Sequence, residues 1–164
     1  MPRPLAPPHR PLHAATAAAL ALALLAGCDR AGPSEPYRLR PDEPAVLASG
    51  KQVYERHCAA CHGAQLQGQP DWRSRDASGR LPAPPHDASG HTWHHTDEVL
   101  FRIVKEGMAS TANLKGYQSA MPGYAGVLSD AEIVAVLSFI KAHWPPDLRR
   151  RHDELNAMEE AKKR

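Results

Sequence analysis

Cys58, Cys61 and His62 are the residues of this chain best placed to do chemistry, standing together as Cys58-Ala59-Ala60-Cys61-His62. On a helical turn, residues three and four apart share a face, so both thiols and the imidazole project to one side. Two thiols can then bond the two vinyl groups of a haem while the imidazole reaches the iron, and Cys-x-x-Cys-His is the attachment pattern for that cofactor. The rival chemistries need more than the chain offers. A zinc site wants a second Cys or His pair at ligand spacing, and a thioredoxin-type redox pair belongs in a strand-helix pattern. The third cysteine, Cys28, lies 30 residues upstream, so no cysteine is left for a structural disulfide. Between this motif and Pro145 the chain has two thioethers, Met108 and Met121. Met108 follows Gly107 in a run of small polar residues and reads as a filler. Met121 precedes Pro122 and Gly123, a stiff and then sharply turning pair that can hold a thioether in one orientation.

Helices must carry these groups. Val46, Gly50, Val53 and Tyr54 recur at helical spacing, predicting a helix over 45–57 that runs into the cysteine motif. Gly50 inside it points to a close backbone approach. Thr96 as N-cap, Asp97 and Glu98 in the first turn and Gly107 as the stop define a second helix with Val99, Leu100 and Ile103 as its apolar residues. Ser129-Asp130-Ala131-Glu132 is a capping box, with Leu128 and Ile133 placed as its staple. The helix it opens presents Ile133, Val136, Leu137 and Ile140 and must end near Trp144, before Pro145-Pro146. Residues 70–95 read as a long loop organised by the cofactor. The tail from Asp147 carries six basic and five acidic residues among scattered Leu148, Leu155 and Met158. Over 146–164 it reads as a charged extension, either a solvated helix or a frayed end, with a docking segment for a partner as the other reading.

The order Gly50, Tyr54, Cys58-Ala59-Ala60-Cys61-His62-Gly63, then Met121-Pro122-Gly123-Tyr124, then the capped helix resembles the class I cytochrome c family over residues 45–145. That resemblance implies an all-α fold with three main helices and long loops around one covalent haem c. It makes His62 and Met121 the axial ligands and crosses the first and last helices at Gly50, with Gly50 and Tyr54 packed around Leu137 and Ile140. The family also holds the proximal imidazole by a proline carbonyl. Pro82, Pro84 and Pro85 are available, and Pro84 is favoured because Pro84-Pro85-His86 resembles the family's Pro-x-Leu, with His86 in place of the apolar residue. Trp93, within Gly90-His91-Thr92-Trp93-His94-His95, is a candidate either to donate its indole NH to a haem propionate or to lie as a lid on the haem edge. The histidine run itself reads as a polar helix entry rather than a second metal site.

The N-terminus reads as an address over residues 1–27. Arg3, His9, Arg10 and His13 form a basic, proline-broken start, and Ala14–Ala26 is an Ala/Leu run too short to span a bilayer. Leu25-Ala26-Gly27-Cys28 resembles a bacterial lipobox, which implies lipidation at Cys28, and two or more acyl chains anchor a protein stably. Residues 28–44, polar and proline-rich, read as a tether. Asp29 after the lipidated cysteine resembles a retention signal for the inner membrane, so the expected location is the periplasmic side of that membrane. Cutting before Cys28 removes Arg3 and Arg10, leaving 18 basic against 18 acidic residues, a balance without the footprint of a nucleic-acid binder. The function that follows is electron transfer in a respiratory chain or with a partner dehydrogenase or oxidase. A haem enzyme or gas sensor, which would need an accessible distal position, is the alternative.

Overall fold

The computed structural model describes residues 36–111 and 119–164, besides Met1. The lipobox with Cys28, and the expected tether as far as residue 35, lie outside the described residues. Residues 35–164 form one compact unit. Among the described residues there is no strand beyond an isolated bridge between Ala125 and Leu128, and no helix is long and apolar enough to cross a membrane.

The first helix, α1 (Pro44–His57), starts with Pro44, whose fixed φ suits a helix's first turn, and buries Gly50, Val53 and Tyr54. It runs through Cys58 into a single turn, α2 (Ala59–His62), stopped by Gly63 at φ 81°. After the long loop and a 3-10 turn at Thr92–His94 comes α3 (Asp97–Glu106). Thr96 caps it by accepting from Val99 N, and Gly107 at φ 89° ends it. A short turn, α4 (Met108–Thr111), follows. The central helix, α5 (Asp130–Ala142), opens with a complete capping box: Ser129 Oγ accepts from Glu132 N at 3.3 Å, and Glu132 Oε2 accepts from Ser129 N at 2.9 Å. Ile133 through Ser138, with Ile140 and Lys141, are all buried, so α5 is covered nearly all round.

The main packing is α1 across α5, and Gly50 makes it possible. A Cβ there would stand 2.0 Å from the Ala135 carbonyl oxygen and 2.8 Å from Phe139 Cβ. Tyr54 stacks obliquely on Phe139 with centroids 5.6 Å apart. At Gly50 the nearest atoms of α5 thus belong to Ala135 and Phe139 rather than to the expected Leu137 and Ile140, while Tyr54 shares one buried core with both of those residues. One stripe of α5, at i and i+4, meets α1, which leaves Leu137 and Ile140 to line the internal cavity.

Both expected appendages fold back. The last stretch of the expected tether is docked: Leu39 is buried, its N–H donates to Asp97 Oδ2 at 2.9 Å, and Arg40 N donates to the buried Ser138 hydroxyl at 2.8 Å. The charged tail forms a fourth long helix, α6 (Pro146–Lys162), which buries Leu148 and His152. Its contacts are mostly polar. His152 Nε2 donates to the His95 carbonyl at 2.9 Å, Asn156 Oδ1 accepts from Asp97 N at 2.8 Å, and Lys141 pairs with Asp153 at 2.5 Å. Residues 36–43 and α6 thus meet on Asp97, at the start of α3, and α6 adds a long helix to the three main ones, α1, α3 and α5, of residues 45–145. Burial pushes the His152 imidazole below its ordinary range, with Lys141 adding to the effect, and its carbonyl partner requires the neutral ring to carry its proton on Nε2.

Candidate haem centre

The cysteine motif is held by main-chain bonds before any ligand is considered. Cys58 N donates to Tyr54 O at 2.9 Å and His62 N to Cys58 O at 2.9 Å. Tyr54 then reaches over from α1 to donate its hydroxyl to the Gly63 carbonyl at 2.8 Å, fixing the end of α2 to the helix that leads into it. Cys58 is half-buried and Cys61 exposed, whereas His62 is buried. Burial pushes the free Cys58 thiol up to about 11, with Cys61 contributing.

His62 Nδ1 donates to the Pro84 carbonyl at 2.8 Å. Of the three prolines considered, Pro84 is the one placed beneath the imidazole, and the intervening loop explains why. Gln69 N donates to Ala83 O at 2.9 Å, His86 N donates to Leu66 O at 2.7 Å, and Gly68 at φ 69° lies so close that a Cβ there would meet Pro85 N at 2.4 Å. With Nδ1 protonated and engaged, the lone pair belongs to Nε2. Burial lowers the affinity of the ring for a second proton, outweighing the Pro84 bond, so a neutral imidazole is available to a metal.

His62 opens on a cavity of about 540 Å³ walled by Leu100, Ile103 and Val104 of α3 and Val136, Leu137 and Ile140 of α5. Met121 and Met108 both line it as well. The Met121 loop is tied down on two sides. Tyr124 N donates to Val104 O and Ala125 N to Lys105 O, both at 2.9 Å, while the Tyr124 hydroxyl donates to the His57 carbonyl at 2.8 Å. Gly123 sits where a Cβ would stand 2.9 Å from the Glu106 carbonyl carbon, so the turn after Pro122 closes directly on the end of α3.

Trp93 does not line the cavity; its ring stacks on His94 at 3.7 Å and packs against the core, and its buried indole NH has no partner within the protein. The indole in the wall is Trp72, stacked on His91 at 5.4 Å. Sequence reasoning passed over Trp72 and the part Tyr124 plays in clamping the Met121 loop. The aromatic in Met121-Pro122-Gly123-Tyr124 was the one available signal among them.

These residues fit a covalently held haem. The cavity is of ligand size and mainly apolar, as cofactor sites are, with two thiols and a neutral imidazole presented from one turn. Its wall also contains a buried, unpaired polar atom, His91 Nδ1, which an acidic group of a cofactor would satisfy.

Comparison with known proteins agrees with this geometry. A family model described as Cytochrome c matches residues 47–144, more than half of the chain. Cytochrome c6 of Tetradesmus obliquus is 30% identical over 100 residues, which cover 58% of this chain and 89% of that protein. The cytochrome bc1 complex cytochrome c subunit of Mycobacterium leprae (strain TN) is 53% identical over 30 residues, 18% of this chain and only 10% of that protein. No solved structure matches the chain. With the family model spanning α1 to the end of α5, and with the thiols, imidazole and apolar cavity that a covalent haem c requires gathered in one place, the chain belongs to the cytochrome c family.

Proposed function

We propose that this chain is a mono-haem electron carrier that exchanges single electrons with a membrane-bound dehydrogenase, oxidase or related respiratory complex. Cys58 and Cys61 would form the thioethers, and His62 Nε2 and Met121 Sδ would hold the iron from the two walls of the cavity. The haem would supply a one-electron couple, and the exposed Cys61 would leave an edge open for transfer. The observation that carries this reading is the pairing of a carbonyl-anchored His62 with a loop-clamped Met121 in one apolar cavity. Thioether ligation favours the reduced iron and a higher potential, and two filled positions leave no room for substrate.

Location belongs to the same proposal. Lipidated Cys28 anchors the protein at the periplasmic face of the inner membrane. Leu39, docked on the domain with Arg40, lies 11 residues after Cys28, a span that reaches at most roughly 36 Å at ~3.3 Å per residue. Respiratory complexes are then the partners within reach, in line with the printed name of the Mycobacterium leprae relative. Cys28→Ser should release the protein from the membrane fraction.

The decisive test is at the distal position. Met121→Ala should lower the potential and let carbon monoxide bind the ferrous protein, while Met108→Ala should do neither. A wild-type protein that binds carbon monoxide readily, or that lacks a methionine-to-iron charge-transfer band when oxidised, would overturn the carrier reading in favour of a haem enzyme or sensor.

A further inference from the structure

The proximal imidazole has a second imidazole lying flat against it. The His62 and His86 rings are 4.0 Å apart between centroids and only 20° from parallel. His86 is itself fixed on every side: its N–H donates to Leu66 O at 2.7 Å, its carbonyl accepts from Trp144 Nε1 at 2.8 Å, and its Nδ1 is paired with the buried Thr92 hydroxyl at 2.9 Å. Tyr54 meets the ring edge-on at 6.4 Å. Since the first two bonds are made by the main chain, the course of the backbone at residue 86 does not depend on its side chain. Yet the side chain is a histidine, where the resemblance noted above has an apolar residue.

We infer that His86 is a positioning residue for the proximal ligand, setting the plane of the His62 ring by stacking on its face. The Pro84 hydrogen bond cannot do this alone. A carbonyl accepts over a broad range of directions, and an N–H···O bond loses little until it bends some 30° from linear, so His62 keeps freedom to turn about its Cβ–Cγ bond. A flat ring in van der Waals contact removes that freedom, because turning either edge of His62 towards His86 drives atoms into repulsion. The plane of the proximal ring governs its overlap with the iron orbitals. His86 also places a polar ring behind the ligand, a change of local polarity that bears on the potential.

The inference rests on His62 being an iron ligand, and the test separates the two. In the oxidised holoprotein, paramagnetic NMR reads ligation from the strongly shifted His62 ring protons and reads the ligand plane from the order and spread of the haem methyl resonances. His86→Leu, apolar and without a flat face, should change the order or spread of those methyl shifts and raise the midpoint potential. His86→Phe, which restores a flat face but no polar atom, should keep the wild-type methyl pattern while raising the potential as Leu does. His86→Met serves in place of the Leu variant if that one does not accumulate. A wild-type methyl pattern in the Leu or Met variant overturns the inference, as does a Phe variant that departs as far as Leu. Absence of shifted His62 protons in the wild type overturns the ligand assignment itself.

Discussion

Replacing Gly50 with alanine should destabilise the protein strongly, although alanine is the better helix former. The added Cβ would stand 2.0 Å from the Ala135 carbonyl oxygen and 2.6 Å from its carbon. Both atoms are α5 backbone and cannot swing away as a side chain could. Bringing the first contact to the 3.4 Å of ordinary packing requires α1 and α5 to separate by close to 1.4 Å. A gap of 0.5–1 Å already forfeits about a quarter to a half of each contact's attraction. Val53 and Tyr54 are buried at this crossing, and each contributes about 1.5–3 kcal/mol by burial, so loosening these two alone costs about 1–3 kcal/mol. Strain from overpacking adds about 1–3 kcal/mol, while the gain in helix propensity returns only about 1 kcal/mol. The expected net loss is therefore about 1–5 kcal/mol. Urea unfolding of the holoprotein, followed both by far-UV circular dichroism and by haem absorbance, measures it. A Gly50→Ala protein as stable as wild type, or more stable by the propensity gain, would refute the close crossing. The same separation would disturb the cavity, because Val136, Leu137 and Ile140 ride on α5.

Ser129→Ala removes the cap and half of the reciprocal box at the start of α5 and should cost about 1 kcal/mol, seen as a lower urea midpoint with an unchanged slope. The docked tail should make stability depend on pH. The folded pKa of His152 is depressed, chiefly by burial, so the unfolded chain takes up a proton that the fold refuses. This contribution is fully present above the ordinary imidazole pKa of about 6.5 and is lost as pH falls from there towards the lower folded value. His152→Gln, which can still donate to the His95 carbonyl, should unfold with a shallower dependence on pH between about 7 and 5; identical slopes for the two proteins would show that His152 does not carry this term.

What the sequence determined by itself was local. The cysteine motif is readable because its three groups need only one helical turn to converge, and the caps at Thr96 and Ser129 are readable because each partner is three residues away. Gly50 announced a close approach, since little else explains a glycine in the middle of a helix, but not what it approached. Which stripe of α5 meets α1 and which lines the cavity depends on the rotation of a helix that is apolar nearly all round, and periodicity carries no information there. The Pro84 carbonyl was reached by resemblance. Its placement under His62 depends on a loop pinned through Gly68, Gln69 and Leu66. The stack of His86 on His62 joins rings 24 positions apart, and no spacing rule reaches that far. The tail is the sharpest case. With Leu148, Leu155 and Met158 scattered among charges, α6 has too little apolar surface to advertise a docking face. It is held by His152 and Asn156, whose partners His95 and Asp97 lie 57 and 59 residues away. Hydrogen bonds and an ion pair between polar residues far apart in the chain leave no periodic trace in a sequence, and only the folded chain brings their halves together.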